Sequence, residues 1–323
     1  MRLSSLKGFA LVAVALGLLT LPLGGAISQA QEDGITIGLS LSTLNNPFFV
    51  SVQEGAQAEA DRLGVDLVVT DAQNDLSTQV SDVQDLISQN VDVLLINPVD
   101  SAGIVPAVNQ ANDADIPVFA IDRAIDTSGD AQVEAQIASD NVFGGRLQAR
   151  FVADALGGEG NVVELEGIPG TSAARDRRQG FEDELADVAP DMEIIASQPA
   201  GFDQAEAVTV MQNILQANQG QIDAVVAAND QMALGALQAI QQADATRPNG
   251  ERIRIVGFDA IDPALEAIEE GNMDATIAQQ PSLMGQLGVS AGRMVVLNPL
   301  MFNQLENGQF MPVEVQTITD DDL

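Results

Sequence analysis

The chain has 323 residues, with 47 acidic against 13 basic side chains, a net charge of −34, 28 Gly, 11 Phe and no Cys, His, Trp or Tyr. Without His or Cys it holds no zinc site of the usual kinds, no thiol nucleophile, no Ser-His-Asp triad and no disulfide. Lys7 is the only lysine, so neither a phosphate-binding loop lysine nor a Schiff-base lysine has a place in the body of the chain, and the charge repels a polyphosphate backbone. The length exceeds what one core usually serves, so two domains are expected.

In chain order, Arg2 and Lys7 precede a nearly apolar run from Gly8 to Leu23, and Ser28-Gln29-Ala30 supplies the small residues of an export-signal cleavage site. Pro22, Gly24 and Gly25 interrupt the run before a full membrane span. Residues 1 to 30 therefore read as a signal peptide cleaved after about Ala30, with the remainder soluble in the periplasm or outside the cell. Cleavage removes two basic residues and no acidic one, moving the net charge from −34 to −36. A lysine-free acidic surface suits concentrated salt, where screening over a few ångströms weakens self-repulsion, and a halophile-like surface is the expectation.

After Gly34, short β-branched runs alternate with helical stretches, the pattern of a βαβ chain. Strands are predicted at Ile35–Leu41, Asp66–Thr70, Val93–Ile96 and Val118–Ile121, with helices at Phe48–Leu63, Thr78–Gln89 and Gly103–Asn112 between them. A second series starts near Asn141, with strands at Val162–Leu165, Glu193–Ala196, Ala224–Ala227, Ile253–Gly257 and Ala275–Ala278. A last helix at Leu283–Leu297 and a terminal run at Val313–Thr317 remain to be shared. The expected class is α/β: two doubly wound parallel-sheet lobes.

Ligands in open α/β sheets bind beyond the carboxyl ends of the strands. The residues there are Ser42, Asp122 and Arg123, Asn229 and Asp230, Asp259, and Gln279. Any one of them is polar simply by meeting water. The set as a whole pairs acceptors with donors and has almost no titratable base, which fits hydrogen bonding to hydroxyls better than bond breaking. Phe48, Phe49 and Phe202 sit at strand-to-helix turns, where flat apolar faces complement the C–H faces of a sugar ring.

Eight blocks then occur in order: Ser42-Thr-Leu-Asn-Asn-Pro-Phe-Phe49, Leu95-Ile-Asn-Pro98, Ile121-Asp-Arg123, Ile137-Ala-Ser-Asp-Asn141, Gly170-Thr-Ser-Ala-Ala-Arg175, Asn229-Asp-Gln-Met-Ala-Leu-Gly-Ala236, Gly257-Phe-Asp259 and Thr276-Ile-Ala-Gln279. With these the mature chain closely resembles the periplasmic ribose-binding proteins of ABC importers, a type I periplasmic binding protein fold. The resemblance implies two lobes joined by three crossing segments, one of residues 34–138 plus 280–310 and the other of 139–279 plus 311–323. It implies ligand contacts from Asn46, Asp122 and Arg123 in the first lobe, and from Arg175, Asn229, Asp259 and Gln279 in the second lobe and hinge. Phe48, Phe49 and Phe202 would sandwich the ring, with Ser42 a weaker candidate. It further implies an ABC permease as partner, room for a chemoreceptor as a second one, a monomer, no cofactor and no nucleic acid. The basic residue usual just after Phe202-Asp203 is replaced by Gln-Ala-Glu.

Ribose is the first choice of ligand, with allose, xylose or galactose as alternatives. A sugar-responsive repressor core would need a helix-turn-helix and a basic face, and the export signal and negative charge oppose it. A glycosidase would need Asp122 and Asp259 as its acid–base pair, and arginines beside them are expected to lower both carboxyl pKa values and so remove the general acid.

Overall fold

The structure, a computed structural model, describes residues 34–301 and 305–323; the signal peptide read at residues 1–30 lies outside the described residues. The first series of elements is β1 (Thr36–Leu41), α1 (Pro47–Leu63), β2 (Asp66–Asp71), α2 (Leu76–Ser88), β3 (Val93–Ile96), α3 (Val105–Asp113), β4 (Val118–Ile121) and β5 (Ala135–Ser139). The second is α4 (Asn141–Leu156), β6 (Glu159–Glu166), α5 (Ser172–Val188), β7 (Asp191–Pro199), α6 (Gln204–Ala217), β8 (Ala224–Ala227), α7 (Asp230–Ala243), β9 (Arg254–Asp259), α8 (Asp262–Glu269) and β10 (Ala275–Ala278). The chain closes with α9 (Pro281–Leu297), β11 (Gln309–Val313) and β12 (Gln316–Ile318).

Two six-stranded sheets result, in the orders β11-β5-β4-β3-β1-β2 and β12-β10-β9-β8-β6-β7. Among the described residues every strand pairing is parallel except β12 on β10, an antiparallel edge. The inner strands β3, β4 and β8 are buried along their whole length, as continuous apolar runs covered by helices on both faces must be.

The chain passes between the sheets three times: at Asp140, at Gln279–Gln280 and at Glu314–Val315. Thus α4 packs in the second lobe, and α9 returns to the first. The expected division at residue 310 cuts through β11, whose register on β5 puts Gln309–Val313 in the first sheet. The single run read at Val313–Thr317 is in fact the end of one strand, a crossing and the start of another.

The strand-to-helix turns explain how polar side chains gather at the carboxyl edges. Asn46, Asp75, Asp140, Thr171, Asp203 and Asn229 each accept a hydrogen bond from a backbone N–H in the first turn of the helix that follows. Each cap satisfies an orphan donor, worth about 1 kcal/mol, and fixes where its helix begins. Helix pairs approach closely through glycine. A Cβ on Gly55 in α1 would collide with the Ser282 carbonyl of α9, and one on Gly145 in α4 with the Arg177 carbonyl of α5. The second contact fixes the height of α5, and with it the side chains α5 sends toward the cleft.

Candidate functional site

A narrow cavity lies between the carboxyl edges of the two sheets, lined by Asn46, Phe48, Phe49, Asp122 and Arg123 from the first lobe. Ala173, Arg177, Phe202, Asn229, Asp259 and Gln279 complete it. Larger grooves exist on the surface, such as one between α6 and α7 near Gln212 and Asp244, but they lack this convergence of charges and rings.

Each lining residue is held by its own backbone element. Asn46 caps α1 through Oδ1, which accepts from the Phe48 N–H at 2.9 Å. Phe48 and Phe49 follow in the first turn of α1, their rings edge to face with centroids 5.2 Å apart. Asn229 caps α7, accepting from the Met232 N–H at 3.0 Å. Asp122, Phe202 and Asp259 adopt positive φ angles of 63°, 57° and 120°. Such backbone costs about 1–3 kcal/mol per residue and persists only where surrounding contacts enforce it, which is common at binding sites.

Four buried charges, two of each sign, face one another across the cavity: Asp122, Arg123, Arg177 and Asp259. Arg123 lies 3.9 Å from Asp122 and donates to the Pro98 carbonyl at 3.2 Å. Arg177 donates to Asn141 Oδ1 at 2.8 Å and to the Ala228 carbonyl at 2.6 Å, and stands 3.7 Å from Asp259. Its guanidinium stacks 3.7 Å from the Phe258 ring centroid, while Arg123 sits 5.3 Å from the centroids of both Phe49 and Phe202. Aromatic faces thus hold the guanidinium planes in place, leaving their edges to bond.

Burial governs the protonation of the carboxyls. It raises Asp122 against the pull of Arg123 and Arg177, and pushes Asp259 up to about 7 against Arg177 and the Gln279 amide. The expectation that adjacent arginines would lower both values is therefore overturned. Desolvation of a carboxylate with almost no water contact exceeds the attraction of guanidinium groups 3.7–3.9 Å away. The guanidinium of Arg123 is likewise lowered by burial, to about 10, and stays charged at neutral pH.

Two buried acceptors on residues that line the cavity have no partner among the described residues: Asp122 Oδ1 and Gln279 Oε1. The other oxygen of Asp122 accepts from Asn97 at 3.1 Å, and the Gln279 amide nitrogen donates to Asp259 at 2.7 Å. Unpaired acceptors in a dry cleft are costly unless a donor arrives, and hydroxyl groups of a polyol are such donors.

The sequence matches the periplasmic binding protein domain over residues 37–298. This chain belongs to the periplasmic binding protein family. It is 48% identical over 264 residues to the ribose import binding protein of Bacillus subtilis, covering 82% of each chain. It is 44% identical over 267 residues to the ribose import binding protein of Haemophilus influenzae, covering 83% of this chain and 87% of that one. Among solved structures it resembles the Caulobacter myo-inositol binding protein bound to myo-inositol, with a TM-score of 0.81, 31% identity, and coverage of 89% and 94% of the two chains. Periplasmic binding proteins hold solutes and carry out no reaction on them, so the carboxyl pair is part of a binding site.

Within this periplasmic binding protein, the structure brings together Asn46, Phe48, Phe49, Asp122, Arg123, Phe202, Asn229, Asp259 and Gln279. Ser42 is buried just behind the site: its N–H donates to Asn97 at 3.2 Å and its hydroxyl has no partner among the described residues. Arg175 stands outside. Its side chain is 66% exposed and pairs with Asp176 at 2.9 Å, and the arginine in the cavity is Arg177. The reason is helical phase. Residues two apart on an α-helix point about 200° away from each other, and the buried stripe of α5 runs Ala173, Ala174, Arg177, Gly180, Phe181. That stripe is visible in the sequence and is the signal that finds Arg177.

Proposed function

We propose that the protein captures a monosaccharide, D-ribose first, between its two lobes and presents the closed form to an ABC transporter permease after export to the periplasm. The observation that carries this reading is the pair of unpartnered buried acceptors, Asp122 Oδ1 and Gln279 Oε1, in a cavity also lined by two arginines and three phenylalanines. Each sugar hydroxyl both donates and accepts, so carboxylate and amide oxygens accept its hydrogen bond while Arg123, Arg177 and the amides of Asn46 and Asn229 supply donors. Phe48 and Phe49 from one lobe and Phe202 from the other cover the apolar faces of the ring.

Two of the relatives reported above are ribose import binding proteins and one structural neighbour holds a cyclic polyol, which supports the ligand class. A pentose has about ten non-hydrogen atoms, so micromolar affinity near −8 kcal/mol asks about −0.8 kcal/mol per atom, within the known ceiling. Contacts to both lobes favour the closed arrangement about the three crossings by their differential affinity, and that shape is what a permease reads.

A thermal-shift and calorimetry panel on the exported protein, with D-ribose, D-allose, D-xylose and D-galactose at low and high salt, tests this. Ribose at about 100 times its dissociation constant is expected to add roughly 2.7 kcal/mol of stability. A larger shift with a hexose would reassign the ligand, and no shift with any sugar would overturn the reading. The salt arms test the halophile-like surface proposed from the charge, which full stability in salt-free buffer would refute.

A further inference from the structure

Gly167 follows the last residue of β6 and does not line the cavity itself. A Cβ at this position would fall on Cζ, Cε1 and Cε2 of Phe202, the distal edge of the ring. Unlike Gly170, whose φ is +94°, Gly167 does not adopt left-handed backbone, so no positive φ demands glycine there. The absence of a side chain there serves the ring.

We propose that Gly167 is a positioning residue for ligand binding: it provides the seat against which Phe202 lies, and so sets how far that ring projects into the cleft. The inference rests on the sugar-binding reading above for its consequence, though not for its geometry. The base of Phe202 cannot shift to compensate. Ala200 donates its N–H to the Glu166 carbonyl at 2.8 Å, Asp203 its N–H to the Ala200 carbonyl at 3.0 Å, and Asn229 reaches the Phe202 carbonyl at 3.4 Å. Other sides of the ring are occupied by the guanidinium groups of Arg123 and Arg177, 5.3 and 5.9 Å from its centroid. Any side chain at 167 therefore drives the ring toward those two arginines and into the narrow cavity they line.

The test is a double-mutant cycle with Gly167→Ala and Phe202→Leu, read by calorimetry with D-ribose on the full exported protein, beside the melting temperature of each variant without sugar. Gly167→Ala is expected to weaken ribose binding at least tenfold. Phe202→Leu is expected to weaken binding in the wild-type background but to restore it, by several-fold, in the Gly167→Ala background, because the shorter side chain clears the new methyl group. Additive losses, or undiminished binding in Gly167→Ala, would overturn the proposal. If Gly167→Ala does not fold, the double variant decides: recovery of folding supports the clash with Phe202, and its failure refutes it. A crystal structure of Gly167→Ala separates this inference from the sugar reading. A ring displaced toward Arg123 and Arg177 supports it even if wild type binds no pentose, and an unmoved ring sinks it even if wild type does.

Discussion

Asn97 clamps Asp122: its amide nitrogen stands 3.1 Å from Asp122 Oδ2, and the same nitrogen reaches the Ile121 carbonyl at 3.1 Å. Asn97 is in turn fixed by Gln79, which donates to its carbonyl at 2.8 Å and accepts the Val99 N–H at 2.8 Å. This network aims the free oxygen of Asp122 into the cleft without touching the cavity itself. Asn97→Ala removes the side-chain amide that bonds the buried Asp122 carboxylate, and a lost hydrogen bond to a charged group costs about 1.5–3 kcal/mol. Ribose affinity is expected to fall about tenfold or more, with a lower melting temperature. Calorimetry showing unchanged affinity would mean that Arg123 alone orients Asp122.

Arg177 and Arg175 separate cleanly. Arg177→Ala strips the cavity of a buried cation that serves Asn141, the Ala228 carbonyl and Asp259, and should abolish the ribose-induced thermal shift. Removing one partner of a buried charge network costs about 3–5 kcal/mol, so the sugar-free melting temperature should fall too. Arg175→Ala, on the exposed face of α5, should leave both values unchanged. Loss of the shift in Arg175→Ala would mean that α5 is rotated in the bound form.

The sequence carries most of the fold and much of the site, for identifiable reasons. Val93–Ile96, Val118–Ile121, Ala224–Ala227 and Ala275–Ala278 coincide with observed strands because short apolar runs between turn residues read plainly. Ala135–Ser139 is a strand that reads weakly, since small and polar residues dominate it and one of its two partners, β11, comes from a distant part of the chain. Site residues at strand ends follow from chain direction alone, whereas the choice of Arg177 over Arg175 depends on helical phase. The carboxyl pKa values are not legible in the sequence because burial, which no motif displays, outweighs the neighbouring charges. Contacts such as Ser101 with Ser172 join residues of different lobes and exist only once the two lobes meet.

Those contacts yield a prediction of their own. Across the cleft Ser101 donates its N–H to the Gly170 carbonyl at 3.1 Å, Ser172 donates its N–H to the Ser101 hydroxyl at 3.1 Å, and Ala124 donates its N–H to the Ser172 hydroxyl at 2.7 Å. They stabilise the closed arrangement through protein alone. Apparent affinity scales with the closed fraction, so losing one bond of about 1 kcal/mol should weaken ribose binding about fivefold. Ser101→Ala and Ser172→Ala are expected to show this as faster dissociation in stopped-flow measurements. An unaltered dissociation rate in both variants would show that closure does not draw on these bonds.

Stability should decline as pH rises through neutrality, and Glu164 is the main separable cause. Its carboxyl is buried on the sheet face beneath α5, and desolvation pushes it from 4.5 up to about 7, with Glu182 and Glu166 adding to the rise and Ser197 and Arg178 opposing it. Geometry agrees. Ser197 Oγ lies 2.6 Å from Glu164 Oε2 and 2.8 Å from Glu166 Oε1, yet a hydroxyl has one proton, so the second contact requires a proton on a carboxyl. Because the folded-state value is the higher one, the favourable contribution is complete below about pH 4.5 and is lost as pH climbs through about 7. The displacement, at about 1.4 kcal/mol per tenfold change in proton affinity, is worth on the order of 3 kcal/mol. Glu164→Gln keeps the shape and removes the titration, so denaturant unfolding between about pH 5 and pH 8 should show a loss of stability smaller by about that amount. Asp122, Asp230 and Asp259, all raised by burial, supply the slope that remains. A variant whose stability falls as steeply as wild type over this range would place the retained proton elsewhere than on Glu164.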